Sequence, residues 1–340
     1  MNPIRLLALA PIVVWIGFAQ NASTSSLTLA SLISQPLPRP ELKLAQDNLA
    51  AAQSVLQQLR ADPTTLKADL LVAEGNGAYA QASLAQIAAQ TRFTLSQAYL
   101  NAVAAEAKQQ LDQTRLELTQ TELKVAQERV KLGSGNVLAI EQAKANLVQV
   151  QQDLKVDAIQ LGVQRDLLSN LLAAQNLPTL EKSLPTTLPV PSLAVLRQAA
   201  RGVPAVVKAQ NALELARLRL EQTQSQYVPQ LQRTSAQQTL ITAQLDYQAQ
   251  LTLAQQAVDS AYVAALDAKA RLEAAQAALA AQQAAYQTAQ SQEKVGTVSR
   301  IQVSTLAVSF EQARLALLQA QQQGYLAQLN LELVAPGGVK

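Results

Sequence analysis

Histidine and cysteine are both absent from the 340-residue chain. Their absence excludes thiol nucleophiles, disulfides, zinc sites of the usual kinds, and the only side chain that titrates near neutrality without perturbation. Aromatic residues are scarce, at 3% against 49% hydrophobic residues overall, with 3 Phe, 7 Tyr and a single Trp. The large aromatic payload on which a conventional globular core leans is therefore missing. Charge of neither sign dominates: 27 basic and 24 acidic side chains leave a formal net charge of +3, and no basic patch interleaved with aromatics points to nucleic acid. What fills the chain instead is alanine and glutamine, 62 and 49 of them. That composition suits long helices packed through small side chains.

No uninterrupted apolar run reaches the 18 residues of a membrane helix. The longest, Leu6 to Phe18 (LLALAPIVVWIGF), follows Arg5 and has the length of a signal-peptide h-region. We expect a signal peptide over 1–22, cleaved after Ala19 or Ala22, and Pro11 argues against an uncleaved anchor. No cysteine follows it, which excludes lipoprotein anchoring. The expected destination is outside the cytoplasm.

Proline divides the remainder. Two long segments, 64–177 and 230–335, contain none, and because proline breaks helix interiors these are the segments able to hold long helices. Pro40, Leu42, Ala45, Gln46, Leu49, Ala52 and Leu56 recur 164 residues later as Pro204, Val206, Ala209, Gln210, Leu213, Ala216 and Leu220; Tyr99 and Gly133 recur at 163 as Tyr262 and Gly296. The rarer Pro, Tyr and Gly matches carry the weight, and they read as a tandem duplication. The expected organisation is a linker over 23–39, hairpin repeats over 40–175 and 204–335, a proline-rich connector over 176–203, and a tail over 336–340. Each repeat reads as a short helix (41–60 or 205–227) followed by a long helical hairpin. The long helices are expected from Ala78 to Leu132 and from about Gln237 to Lys294. KLGSGN (Lys131 to Asn136) and Val295 to Ser299 turn the chain, with return helices over about Val137 to Ala174 and Arg300 to Val334.

The apolar periodicity has an unusual form. In the last helix Ile301, Val308, Leu315 and Leu329 make one heptad stripe, while Val303, Phe310, Leu317 and Leu331 make another displaced by two residues. Leu111, Leu118, Val125 and Leu132 pair in the same way with Leu116, Leu123 and Val130, as do Ile140, Leu147, Leu154, Leu161 and Leu168 with Val156 and Val163. Such a displacement sets the stripes about 160° apart. A helix with two opposed seams touches a neighbour on either side and belongs in a curved wall with one polar face to solvent and the other to a lumen. A loosely packed four-helix bundle is the alternative. Four such helices cannot close a wet tube, so the wall reading implies oligomerisation.

In these features the chain resembles the TolC-like outer-membrane efflux and export proteins. The resemblance spans about 40–335. It rests on the duplicated hairpin, on GVPAVVKAQNALELARLRLEQTQSQYVPQL (Gly202 to Leu231) with its closing Tyr-x-Pro-x-Leu, and on the tips ERVKLGSGNVLAIEQAKANL (Glu128 to Leu147) and EKVGTVSRIQVSTLAVSFEQARLALLQAQ (Glu293 to Gln321). It implies a homotrimer whose twelve helical positions, an all-α wall of antiparallel coiled-coil hairpins, form a periplasmic tube joined to an outer-membrane β-barrel made from four strands per chain. It also implies association with the outer membrane of a diderm bacterium, and export of small molecules or proteins with a periplasmic adaptor and an inner-membrane transporter. Carried over residue by residue, Lys131, Leu132, Gly133, Ser134 and Gly135, with Lys294, Val295, Gly296 and Thr297, form the adaptor-docking tips.

The chain departs from that pattern where barrel strands belong. Pro229 to Gln238 offers about ten residues, the length of one membrane strand, and Arg60 to Ala78 lacks apolar alternation and an aromatic girdle. Little or no β-barrel is expected. Gly75, Asn76 and Gly77 offer a turn, and the helices flanking Pro229 could run nearly end to end. Neither tip carries the aspartates that often ring the family's constriction; Asp153 is the nearest downstream. No enzyme chemistry or cofactor is expected: the pairs Glu117/Glu122 and Asp153/Asp157 read as solvated helix surface, and GSGNVLAIEQAK lacks the ending of a phosphate loop. The competing reading is a non-conducting coiled-coil structural or tethering protein of the envelope.

Overall fold

The computed structural model describes residues 27–34, 39–174, 177–182, 184, 189–225 and 227–338. The signal-peptide expectation lies outside them. The helices are α1 (Leu29–Ser34), α2 (Pro40–Ala61), α3 (Lys67–Lys131), α4 (Val137–Leu172), α5 (Leu193–Ala199, continued by a 3-10 turn over Ala200–Gly202), α6 (Pro204–Gln222), α7 (Gln230–Lys294) and α8 (Arg300–Val334). Proline opens α2 and α6, where its missing N–H costs nothing. The long helices α3 and α7 have 65 residues each, a span of about 98 Å, and both their starts and their ends lie 163 residues apart.

These helices assemble into a wall of four columns. Both α2 and α4 pack on α3, both α6 and α8 fit between α3 and α7, and α7 forms the far edge. The stacked pairs meet end to end. Arg39, just before α2, donates to the carbonyl of Leu171 at the foot of α4 (3.4 Å), and Gly202, just before α6, approaches the Pro336 carbonyl beyond α8. Because α8 runs against both α3 and α7, the two hairpin tips lie at the same end of the wall.

Two helices begin earlier than the sequence suggests. Instead of turning, Gly75 and Gly77 lie inside α3, which starts at Lys67 rather than Ala78. Gly75 is needed for a close approach: Asn211 of α6 donates to its carbonyl at 2.7 Å, and a Cβ there would stand 3.0 Å from the Asn211 side chain. Likewise α7 begins at Gln230, immediately after Pro229, and α6 stops at Gln222. Rather than running end to end, α6 and α7 fold back and pack side by side, because residues 223–229 contain both helix-ending Thr223 and Pro229. Among the described residues there is no sheet, only a single parallel bridge between Leu27 and Leu180. Among these residues the expectation of an all-helical fold with little or no β-barrel stands.

A belt crosses the wall at mid-height. Leu27, Leu29 and Leu32 sit with Leu180 and Leu184 over Leu95, Tyr99, Leu100 and Val103 of α3. Tyr99 is fully buried and its hydroxyl lies 2.8 and 2.7 Å from the Leu27 and Glu181 carbonyls, so one hydroxyl ties together two segments of the belt. Burial pushes its pKa up to about 12. At the other side Leu196 and Ala200 pack on Val258, Ala261 and Ala265 of α7, with Tyr262 alongside, and Arg197 makes a two-pronged ion pair with Asp259 (2.8 and 2.7 Å). Tyr99 and Tyr262, equivalent in the two repeats, thus both turn toward the belt.

Candidate functional site

The two tips share one backbone solution. At the end of α3 the Gly133 N–H bonds to the Val130 carbonyl (3.0 Å) and the Ser134 N–H to Arg129 (2.9 Å); at the end of α7 Gly296 bonds to Glu293 (2.9 Å) and Thr297 to Gln292 (3.0 Å). These are Schellman caps, which need a left-handed residue, and Gly133 (φ 72°) and Gly296 (φ 77°) supply it. The hydroxyls of Ser134 and Thr297 reach the same carbonyls as their own amides (3.2 and 3.0 Å). Beyond the caps, Asn136 accepts from the Leu138 N–H (2.9 Å), and Ser299 forms a capping box with Gln302, starting the return helices firmly. Gly135 is steric: a Cβ there would lie 2.7 Å from the Val130 backbone nitrogen.

This geometry places one large apolar side chain at the apex of each tip. Leu132 is 79% and Val295 73% exposed, unusual for such side chains at a rigid turn. Lys131 is tied to Glu128 at 2.6 Å, whereas Lys294 closes α7 and Arg300 opens α8. A cation at the foot of a helix also meets the negative end of its dipole. The tips therefore present leucine or valine, a hydroxyl residue and lysine in the same order, with no aspartate; Asp153 is exposed and accepts from Gln149 (2.9 Å).

The edges of the wall form the second notable surface. In α8, which has neighbours on both sides, every member of both apolar stripes is buried or half-buried. In α4 only the seam from Ile140 to Leu168 faces α3. The opposite stripe, Val148, Val156, Ile159, Val163 and Leu167, is exposed, with Val156 and Ile159 at 62% and 69%. On the far edge Ile241, Leu245, Val263 and Leu266 share one exposed face of α7.

One polar cluster escaped the sequence reading. Asp157 is not solvated surface: it is buried against α3, where Lys108 donates to both its oxygens and to Asp112 (3.1 Å), and Arg115 closes on Asp112 at 3.0 Å. Burial is the main force holding the Asp157 carboxyl above its ordinary pKa, and the Asp112 carboxyl adds to it. Burial pushes Asp112 the same way, but its hydrogen bonds to Asp157 and Lys108 outweigh that and hold it below. Arg165 and Glu106 add a second α3–α4 ion pair (3.0 Å). The spacings Lys108/Asp112 and Asp112/Arg115 are helix-pair spacings readable in the sequence, but Asp157 joins them only once the α3–α4 register is known.

Among the described residues no group of three or more acidic side chains is arranged to hold a metal ion, and no helix is long and apolar enough to cross a membrane. The cavities are open grooves between columns. One, of about 310 Å³ between α3 and α6, is lined by Val72, Tyr79, Lys208 and Leu215.

The scan against protein-family models finds no match, and neither does the search of curated proteins. Among solved structures the fold has clear counterparts. CusC, from a study of its folding and transmembrane channel formation, matches with a TM-score of 0.65 at 19% identity over 92% of this chain and 96% of that one. The outer-membrane protein VceC of Vibrio cholerae matches at 0.61 and 17%, over 92% and 97%. The outer-membrane channel CmeC of Campylobacter jejuni matches at 0.61 and 13%, over 92% and 86%. The resemblance read from the residues thus holds for the architecture: this chain has the helical-wall fold of the TolC-like outer-membrane channels, and its described residues include no barrel strands.

Proposed function

We propose that the chain supplies one third of a helical export conduit in the envelope of a diderm bacterium. Three copies join edge to edge, α4 of one against α7 of the next, to make a twelve-column ring. The observation that carries this reading is the pair of unpartnered apolar stripes at opposite edges of one wall. Such head-to-tail edges are what a cyclic ring requires. The lumen carries small molecules or proteins. A periplasmic adaptor docks on the tips through Leu132 and Val295, with Lys131, Gly133, Ser134, Gly135, Lys294, Gly296 and Thr297 shaping and presenting them, and an inner-membrane transporter supplies the cargo. The protein then resides in the periplasm against the outer membrane, and catalysis forms no part of its work.

Sedimentation velocity and electron microscopy of the mature chain test this: a trimeric ring is expected, and a stable monomer overturns it. The lack of strands among the described residues favours a second reading, a non-conducting tether built from the same hairpins. Its signature is release from envelope membranes by urea together with particles that show no closed lumen.

A further inference from the structure

The belt distinguishes the two faces of the wall. Twelve columns about 10 Å apart enclose a lumen about 28 Å across, and three belts one helix thick would fill most of it. The belt face is therefore the outer face in any ring that conducts. On α3 that face is marked by Tyr99 and by Gln110, which Lys182 of the connector approaches at 3.4 Å. Lys108 and Arg115 lie about 160° and 140° around the helix from Gln110, and so point to the opposite side.

Resting on the conduit reading, we infer that Lys108 and Arg115 form a charge-selective girdle on the lumen wall that favours anionic solutes. The four-residue cluster is balanced in formal charge but unequal in what it shows. The side chains of Lys108 and Arg115 are 50% and 40% exposed, whereas those of Asp112 and Asp157 are 3% and 8%. A passing solute meets the cations, with the carboxylates behind them fixing their positions. Arg115 spends one N–H on Asp112 and keeps the rest of its fork for an anion. Lys108 is drawn on more heavily, by both carboxylates, and contributes mainly field.

The native chain has no cysteine, so a single thiol can report that field. Glu122, the acidic residue on the same stripe two turns beyond Arg115, is replaced by cysteine in the full-length chain, and its modification rates by a negatively and a positively charged methanethiosulfonate are compared at low ionic strength. With Arg115 about 10 Å away, the ratio of anionic to cationic rate is expected to fall about fourfold in R115Q and to be retained in R115K. Lys108 still pairs with Asp112 in R115Q, so the fold is expected to survive, which circular dichroism checks. An unchanged ratio in R115Q, or an equal fall in R115K, overturns the girdle. Sedimentation of the same samples separates the two levels: a monomer refutes the conduit itself, whereas a ring with an unchanged ratio refutes only the girdle.

Discussion

If the exposed edge of α4 is a subunit interface, substituting it weakens assembly and leaves the protomer intact. Val156, Ile159 and Val163 are the test positions, because they are exposed in the single chain and lie consecutively along the stripe. Fully burying a side chain of this kind contributes about 1.5–3 kcal/mol. Each is already partly covered by its own helix, so a neighbouring α7 gains about 1–2 kcal/mol per residue. Replacing all three with serine therefore removes about 3–5 kcal/mol per interface, which loosens each contact by about two to four orders of magnitude. Within the protomer the same changes touch solvent only, and surface substitutions usually move stability by no more than about 0.5 kcal/mol each. The assay is sedimentation velocity over a concentration series with thermal unfolding of the dissociated chain alongside. Rings are expected to give way to folded monomers. A triple variant that assembles as tightly as the parent refutes the interface, as does a protomer that itself loses several kcal/mol, which would place these side chains in an intramolecular contact.

Four further outcomes follow from single sites. D112N is expected to destabilise the chain more than D157N at pH 7. Asp112's depressed pKa adds stability above the ordinary carboxylate value of 3.8 that is lost as pH falls through its folded pKa, whereas Asp157's raised pKa favours the fold at acid pH and loses that contribution as pH rises through its folded value. The gap between the variants, read by urea titration, should therefore close below pH 4. Y99F removes a buried hydroxyl shared by two belt carbonyls and should cost about 1–3 kcal/mol, seen as faster proteolysis around Glu181 while the long helices remain protected. G133A and G296A have room for the methyl group but force alanine into left-handed backbone at about 1–2 kcal/mol each. Differential scanning calorimetry should register this, whereas L132D with V295D should leave stability unchanged and, if the tips dock an adaptor as proposed, abolish its capture.

Legibility in the sequence followed the range of the interaction. The tips were readable because a glycine flanked by helix-forming runs and a capping residue is a local signal, and the cap geometry at Gly133 and Gly296 depends on residues within one turn. The lack of barrel strands among the described residues was readable because the ten residues from Pro229 to Gln238 are too few for two membrane strands and a loop, whatever surrounds them. Gly75 was misread for the opposite reason. A Gly-Asn-Gly triplet is locally a turn, and only the arrival of Asn211 from 136 positions away turns the missing side chain into a packing requirement inside a helix. Asp157 was misread in the same way, as solvated surface, because the cation that neutralises it lies 49 residues upstream.

The opposed seams connect these two ranges. Periodicity is local and predicts two neighbours for every helix of a hairpin. Within the chain α8 finds both, while α4 and α7 each have a face left over. Four columns leave that pattern unsatisfied at both ends, where an apolar stripe of α4 and one of α7 stay exposed. On the proposed conduit reading, the pattern that specifies the wall also specifies a repeating edge-to-edge contact, and curvature decides whether it closes. The small alanines on α7 at 261, 265 and 268, buried where neighbouring columns and the belt approach, let helices draw close on that face. If the chain forms the proposed ring, bulkier side chains there would spread that face and alter the curvature, so substituting them with valine is expected to change the number of chains in the ring before it changes the stability of any one chain.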